Sequence, residues 1–595
     1  MAVSPNAGSD GPVRVSITSG GQVIPDSIEV FGVEVLHAIG RISSASIVVG
    51  DGDMPSNRWE VADSSTFLPG QEISIKAGYG NDEDVIFKGI VVKLGAKITE
   101  DNASRLHVYC QDKAVNMTFG RHNANHIDKT DSDIIKSLIG AHGLSSDVDS
   151  TSVTYRELVQ YYCCDWDFMM TRAEVNGLMV IVDAGKVSVK APATRGAPAL
   201  EVTWGIDLFD FQADLDARDQ VETVNTVAWD PKNQAIVQGS AQVQSLNNQG
   251  NLDSGKLASL LGKAPLGFQS ASVLESAALK AWAKGHQVKA GLARIQGRMN
   301  FRGSAKAEVG TLIKIAGVGE RYNGNVFIGG LVHEISEGEW RTRADFGLPS
   351  QWFAERTDVV APPASGWVPG AAGLQVGVVM KLDADPAGEH RVQVEIPLLQ
   401  ATNKGVWARL LQHHASKEFG AFYVPEIGDE VVIGYFNDDP SNPVILGSLY
   451  SSNRAPPYAL EAENNIKAIV TRSKARIEIN DKDVTITLKT PTNNTVVIDD
   501  KDKSILLKDQ HGNSLKLDQS GITLDSIKDI TMTAKGNIRT TANQSIALTA
   551  TGDLTARGLN TTIEAQSSIT CKGTASAEFS ATGQTTVRGA MVAIN

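Results

Sequence analysis

Apolar positions in the last quarter of the chain follow a ruler of eight. Ile538, Ile546 and Leu554 stand eight residues apart, and Thr540, Leu548 and Ala556 each follow two places later. The pairing begins at Ile522 and Leu524 and continues at Ile530 and Met532. After a one-residue slip it resumes at Ile563, Cys571, Phe579 and Val587, each preceded two places earlier by Thr561, Ile569, Ala577 or Thr585. Upstream, Ile505/Leu507 and Leu515/Leu517 fit a looser version. Residues i and i+2 of a strand share one face, so each octad reads as a short strand with two inward side chains. A polar corner such as "AKGN" or "ATGD" then follows. Fixing an octad takes more backbone entropy than two buried aliphatic side chains return, so neighbouring strands must supply the rest. The Thr, Ala, Cys and single Phe of this thin interior suit the axis of three intertwined chains. The pattern therefore predicts a C-terminal intertwined trimeric β-helix. Its core would be Ile522, Leu524, Ile530, Met532, Ile538, Ile546, Leu548, Leu554, Ile563, Ile569, Cys571, Phe579 and Val587.

Ahead of the octads the periodicity changes. "VRVSI", "EISIKAGYG", "VIFKGIVVKL" and "RLHVYCQD" alternate as strands do, with turn residues between them. "DSDIIKSLIGAHG" reads as a helix capped by Asp131 or Ser132 and closed at Gly143. "DWDFMMTRAEVNG" reads as a second, with Asp165 as N-cap and Gly177 at a left-handed stop, and "SVLESAALKAWAKGHQ" as a third. Five further runs, "LQVGVVMKL", "HRVQVEIPL", "GVWARLLQ", "DEVVIGYF" and "PVILGSLY", have the number and spacing of a small oligonucleotide/oligosaccharide-binding (OB) type barrel. The Pro-, Gly- and Ala-rich stretch "TDVVAPPASGWVPGAAG" suits a connector. All nine tryptophans precede residue 408, and beyond Tyr458 the only aromatic is Phe579 and the only proline Pro491, so the composition breaks there too. The expected organisation is a hub of two barrel-like subdomains at 1–360, a linker at 361–373, an OB-like barrel at 374–455 and an octad spike at 460–595. The expected fold class is mainly β, a hub of β-barrel domains with inserted helices followed by barrel and β-helix.

Charge and chemistry narrow the picture. A formal net charge of −13 with no basic cluster argues against a nucleic-acid partner. The first residues lack the basic start and apolar core of a signal peptide, and no window approaches a membrane span, so synthesis in the cytoplasm is expected. Cys110, Cys163, Cys164 and Cys571 show no metal-ligand spacing and read as reduced packing residues. "GNLDSGKL" nearly matches a phosphate-binding loop, but Leu257 occupies the Ser/Thr position, so a polar loop is expected. "HEISE" lacks the second histidine of a zinc helix and suits a strand and turn. His413 and His414 would point to opposite sides of an extended chain. No catalytic residue, cofactor or metal is expected, and the chain is not expected to be an enzyme.

In sequence order, "VQYYCCDWDFMMTRAEVNGLMV", "LFDFQADLDARDQVETVNTVAWD", "YNGNVFIGGLVHEIS", "VPEIGDEVVIGYFNDDPSNPVILGSLY" and "NSLKLDQSGITLDSIKDITMTA" resemble the VgrG-type spikes of contractile injection systems, a group that includes type VI secretion spikes and phage tail hub-spike proteins. The resemblance implies a homotrimer that faces a hexameric tube protein, binds baseplate components, carries effector cargo and meets a target membrane transiently. It also implies assembly into a contractile particle and delivery outside the cell. A cone-shaped PAAR-type tip protein would dock on Met591, Val592, Ile594 and Asn595. The last histidine is His511, so a tip holding its own iron is not expected, nor is a lysozyme or effector domain. The alternative reading is a secreted polysaccharide-binding or polysaccharide-cleaving β-helix protein. Its best acids, Asp481/Asp483 and Asp499/Asp500, fall in polar corners where solvated turn acids are common.

Overall fold

Ile73, Ile75 and Ala77 alternate with polar neighbours, and all three point into a core shared with Val33, Val35, Ile47, Val49 and Val108. A computed structural model describes every residue of the chain except Met1, Ser9, Asp10, Asp101, Asn102, Ala401, Asn403, Lys404 and Asn595. The chain forms two units, Met1–Leu449 and Tyr450–Asn595.

In the first unit one long mixed sheet wraps two separate apolar cores. Its strands run in the order Leu208–Leu215, Ile295–Arg302, Glu339–Phe346, Gly324–Ser336, Val30–Ala38, Ser44–Gly50, Ser104–Gln111, Asp82–Ile98, Glu72–Tyr79, Val13–Ser19 and Gln22–Val23. The two halves are stitched where Gly324–Ser336 pairs antiparallel with Val30–Ala38, with Val332 opposite Leu36. One core lies under the N-terminal strands. The other gathers Leu200, Val202, Met299, Phe301, Ile313 and Phe346.

Two insertions carry the helices. In the first, α1 (Asp131–Ala141) and α2 (Asp165–Val175) cover a small sheet of Ser145–Val148, Met179–Asp183 and Lys186–Lys190. In the second, α3 (Ser254–Leu261) and α4 (Ser276–Ala293) accompany the strands Thr223–Asp230, Ala235–Gln242 and Leu266–Ser270.

The helix starts differ from the expected caps, for an electrostatic reason. Thr130, not Asp131 or Ser132, caps α1, its Oγ1 accepting from the Asp133 amide at 3.2 Å. The Asp131 carboxylate is buried and engaged elsewhere, accepting from Arg172 Nε at 2.6 Å, Arg172 Nη2 at 3.0 Å and Asn176 Nδ2 at 2.7 Å. Likewise Cys164 rather than Asp165 caps α2, because Asp165 accepts from Gln160 Nε2 at 2.8 Å and pairs with His142 Nε2 at 2.9 Å. Gly143 and Gly177 adopt the expected left-handed conformation (φ 69° and 67°). Gly177 also permits a close approach, since a Cβ there would stand 3.2 Å from the Gly285 Cα of α4. The expected polar loop at Gly250–Leu257 is a second correction. Asp253 caps α3 by accepting from the Lys256 amide at 2.8 Å, and Leu257 is buried, so the lysine lies on a short amphipathic helix.

The five barrel strands form where their alternation places them. Gln375–Lys381, Val392–Glu395, Val406–Leu410, Pro443–Ser448 and Glu430–Tyr435 close in that order around Val379, Val394, Ala408, Val431, Ile433 and Ile445. The connector is tied to this barrel, with Asn437 Nδ2 donating to Ser365 Oγ at 3.0 Å and the Ala371 amide to the Asp438 carbonyl at 2.8 Å.

In the second unit, seven strands from Ile466–Val470 to Gly521–Asp525 form an antiparallel meander in sequence order. The looser upstream repeat is thus a hairpin repeat paired within one chain. Among the described residues no strand follows Asp525.

The buried Asp131–Arg172 pair makes the first insertion sensitive to charge deletion. Asp131→Ala leaves a buried guanidinium without its carboxylate and is expected to destabilise that insertion by about 3–5 kcal/mol, read as a lowered denaturation midpoint of the first unit.

Candidate trimer interface

The meander carries a face that one chain leaves open. Antiparallel register sets Ile477 opposite Leu488 and Ile479 opposite Ile486, then Leu488 opposite Val496 and Ile486 opposite Ile498. The match continues through Val496/Leu507 and Ile498/Ile505 to Leu507/Leu515 and Ile505/Leu517, ending at Leu515/Leu524 and Leu517/Ile522. Directly opposed residues share a face, so these form two aliphatic columns, one running from Ile469 through all seven strands to Leu524 and one from Ile479 through six to Ile522, with Lys467 opposite Ile479 on the first strand. The alternate face is mixed, carrying Glu478, Thr487, Val497, Leu506, Lys516 and Thr523 in register. Ten of the thirteen column residues are exposed, from 39% at Ile498 and Ile505 to 74% at Ile522, while Val496, Leu515 and Leu517 are half-buried.

Beyond the meander the exposure is general. Every described residue from Ile527 to Ile594 is exposed, and none of the described residues of the second unit is buried. The octad positions Ile530, Met532, Ile538, Ile546, Leu548, Leu554, Ile563, Ile569, Cys571, Phe579 and Val587 are all exposed, as are Ile522 and Leu524. A single chain brings Ile522 and Leu524 into the columns, and among the described residues the later octads have no partner strand. Met591 and Ile594 are 87% and 90% exposed, with Val592 half-exposed, while Asn595 lies outside the described residues. Sequence reasoning missed the columns' first half. Its signal was the i, i+2 pairs Ile477/Ile479, Ile486/Leu488 and Val496/Ile498, spaced nine and ten residues apart rather than eight.

The residues considered for chemistry occupy structural positions. His333 lies within the strand Gly324–Ser336, wholly buried, its Nδ1 3.0 Å from Thr342 Oγ1. His414 meets the ring of Phe419 edge-on at 5.6 Å. Among the corner acids, Asp483 accepts from Asn480 Nδ2 at 3.0 Å and Asp499 from the Asp502 amide at 2.8 Å, both within their own turns. Burial pushes the Cys110 and Cys164 thiols up to about 12, so both are held as thiols rather than reactive thiolates. Among the described residues no group of three or more His, Cys, Asp or Glu is placed to hold a metal ion, and no helix is long and apolar enough to cross a membrane.

With this geometry in view, residues 9–337 match the family described as the Alg8 N-terminal domain, more than half of the chain. The chain belongs to this family. Residues 375–450, the closed barrel, match the type VI secretion system/phage-baseplate injector OB domain, and residues 485–552 match the phage baseplate V C-terminal trimerisation domain. The spike protein VgrG1a of the Pseudomonas aeruginosa type VI secretion system is 34% identical over 71 residues, 12% of this chain and 11% of that protein. The actin cross-linking toxin VgrG1 of Vibrio cholerae is 33% identical over 87 residues, 14% of this chain and 8% of that protein. The chain thus spans about a tenth of the length of these curated relatives. Among solved structures, the 43 kDa tail protein of prophage MuSo2 from Shewanella oneidensis is 10% identical with a TM-score of 0.43, over 57% of this chain and 99% of that one. By its domain matches and curated relatives this member of the family is a VgrG-type spike.

The buried histidine sets a pH dependence. Desolvation, with the nearby His37 adding to it, lowers the His333 pKa from 6.5 to about 3. The folded state therefore holds it neutral where the unfolded chain is protonated. Its contribution is complete above about pH 6.5 and is lost as pH falls through that value toward 3. His333→Gln is expected to flatten the loss of first-unit stability across this window, as read by denaturant titrations at a series of pH values.

Proposed function

We propose that the chain works as a homotrimeric membrane-puncturing spike and baseplate hub of a contractile injection system, joining an inner tube to a tip. The observation that carries this reading is the open pair of aliphatic columns and the unpartnered octads that follow them. Removing the exposed parts of these thirteen aliphatic side chains from water is worth on the order of 10 kcal/mol per chain. That is comparable to the roughly 4–15 kcal/mol lost in association, so a stable multi-chain assembly is energetically accessible. The match to a trimerisation domain across residues 485–552 supports three copies.

In this arrangement the octad side chains from Ile530 to Val587 meet their counterparts about a common axis. The apolar end at Met591, Val592 and Ile594 seats a PAAR-type tip protein, because an exposed group of this kind is otherwise an association hazard. The hub of residues 1–360 faces a hexameric tube protein and baseplate components, and the assembled particle carries effector cargo to a target membrane. The work is mechanical, and the chain supplies stiffness rather than catalysis. The cross-linking activity named for the Vibrio cholerae relative belongs to that protein, of which this chain matches 8%.

Sedimentation of the full chain tests the reading. A trimer of 63.4 kDa chains sediments at about three times the protomer mass, and Ile486→Asp in the columns abolishes that species while the first unit stays folded. A lone protomer in the unsubstituted protein overturns the proposal. Cys571 supplies an internal probe, since it is exposed in a single chain. It is expected to become protected from maleimide on assembly and to be modified freely in chains kept apart by Ile486→Asp.

A further inference from the structure

The meander and the octads differ in who pairs with whom, and the change of partner has a definite place. Successive turns on one edge of the sheet repeat every 19 residues, with Thr490 and Asn494 recurring as Asp509 and Asn513. Asn494 Oδ1 accepts from the Gln510 amide at 3.0 Å, which holds one turn to the next. Asn513 Oδ1 does the same for the Ile527 amide at 3.0 Å and also for Ser526 Oγ at 3.0 Å. Asn513 is itself fixed, its Nδ2 donating to Asp509 Oδ2 at 2.7 Å and its amide to Asp509 Oδ1 at 2.9 Å. After the first of these bonds the chain returns to its own sheet as Ser514–Asp518. After the second it does not, because no described strand follows Gly521–Asp525.

Gly521–Asp525 is therefore an edge strand with one side paired to Ser514–Asp518 and the other open, and all five of its residues are exposed. An open edge with apolar side chains is a template for another strand. The apolar pair of this edge, Ile522 and Leu524, recurs eight residues on as Ile530 and Met532. The occupant that matches the edge in spacing and polarity is the first octad.

We propose that the open edge of Gly521–Asp525 receives the first octad of a neighbouring copy, and that the Asp509–Asn513 bracket is the point at which pairing within one chain gives way to pairing between chains. The proposal rests on the trimer reading and adds to it the site where intertwining begins. The trimerisation-domain match runs through this point, from 485 to 552. Asn513 acts as a positioning residue, aiming the chain away from its own sheet at Ile527. Assembly then has an order, in which the meander forms in each chain first and offers an edge on which the octads zip together.

The test uses full-length chains carrying Cys571→Ser. Chains with Thr523→Cys are co-refolded with chains carrying Thr531→Cys, and thiols are oxidised with oxidised glutathione. Cross-strand neighbours lie within disulfide reach, so a covalent product containing one chain of each kind is the expected result. Asn513→Ala removes the side-chain bonds to Ser526, Ile527 and Asp509 and is expected to lower its yield by at least about tenfold, whereas Asn494→Ala leaves it unchanged. A Lys516→Cys/Thr523→Cys pair, opposed within one chain, reports whether the meander has folded in each variant. Trimers by sedimentation with no mixed product overturn the edge proposal alone. A bond formed only within a Thr523→Cys/Thr531→Cys double variant overturns it too, by showing that each chain folds back on its own edge. Protomers by sedimentation with an intact Lys516→Cys/Thr523→Cys bond overturn the trimer reading itself.

Discussion

Everything in the second unit depends on one constraint, which is that a single chain cannot satisfy the sheet it builds. Seven strands satisfy one another's backbone groups as far as Asp525, but their aliphatic columns stay largely open, and among the described residues the octads beyond have neither partner strand nor buried side chain. Backbone polar groups and apolar side chains both seek partners, and here both must find them outside the chain. The open surface is a demand for more copies written into a repeat.

The first unit obeys the opposite economy. Its sheet encloses two apolar cores, each of its insertions has a core of its own, and its barrel closes on a further one. Charges there are paired inside the chain, as in the bidentate Asp131–Arg172 contact and the Lys289–Glu174 bridge at 2.6 Å between α4 and α2. A self-sufficient unit followed by a dependent one suits a protein whose first part forms a platform and whose last part gains rigidity only on assembly. Association then acts on a chain whose larger part can already be folded, which limits the entropy lost at the assembly step.

The same contrast bears on how force would be borne. In the first unit the apolar cores join elements of one chain. In the proposed assembly of the second unit, separating the chains would break strand pairing and the apolar axis together. Resistance to shear in such an arrangement grows with the number of octads, each adding the same small increment.

The sequence by itself determined the mainly β character of the chain, the helices α1, α2 and α4, and the five-stranded barrel. Period-two alternation and an eight-residue repeat are local patterns, and they are enough to place Ile522 and Leu524 on one and the same side of their strand. Tertiary structure alone decided the caps of α1 and α2, where buried partners drew Asp131 and Asp165 away from the helix ends. It also decided the helix at Ser254–Leu261, whose Leu257 finds a core that its polar neighbours do not announce. The first half of the aliphatic columns escaped notice for a related reason. Hairpins of nine- and ten-residue spacing align Ile477 with Leu488 only through antiparallel register, and register is a property of paired strands that a list of residues does not contain.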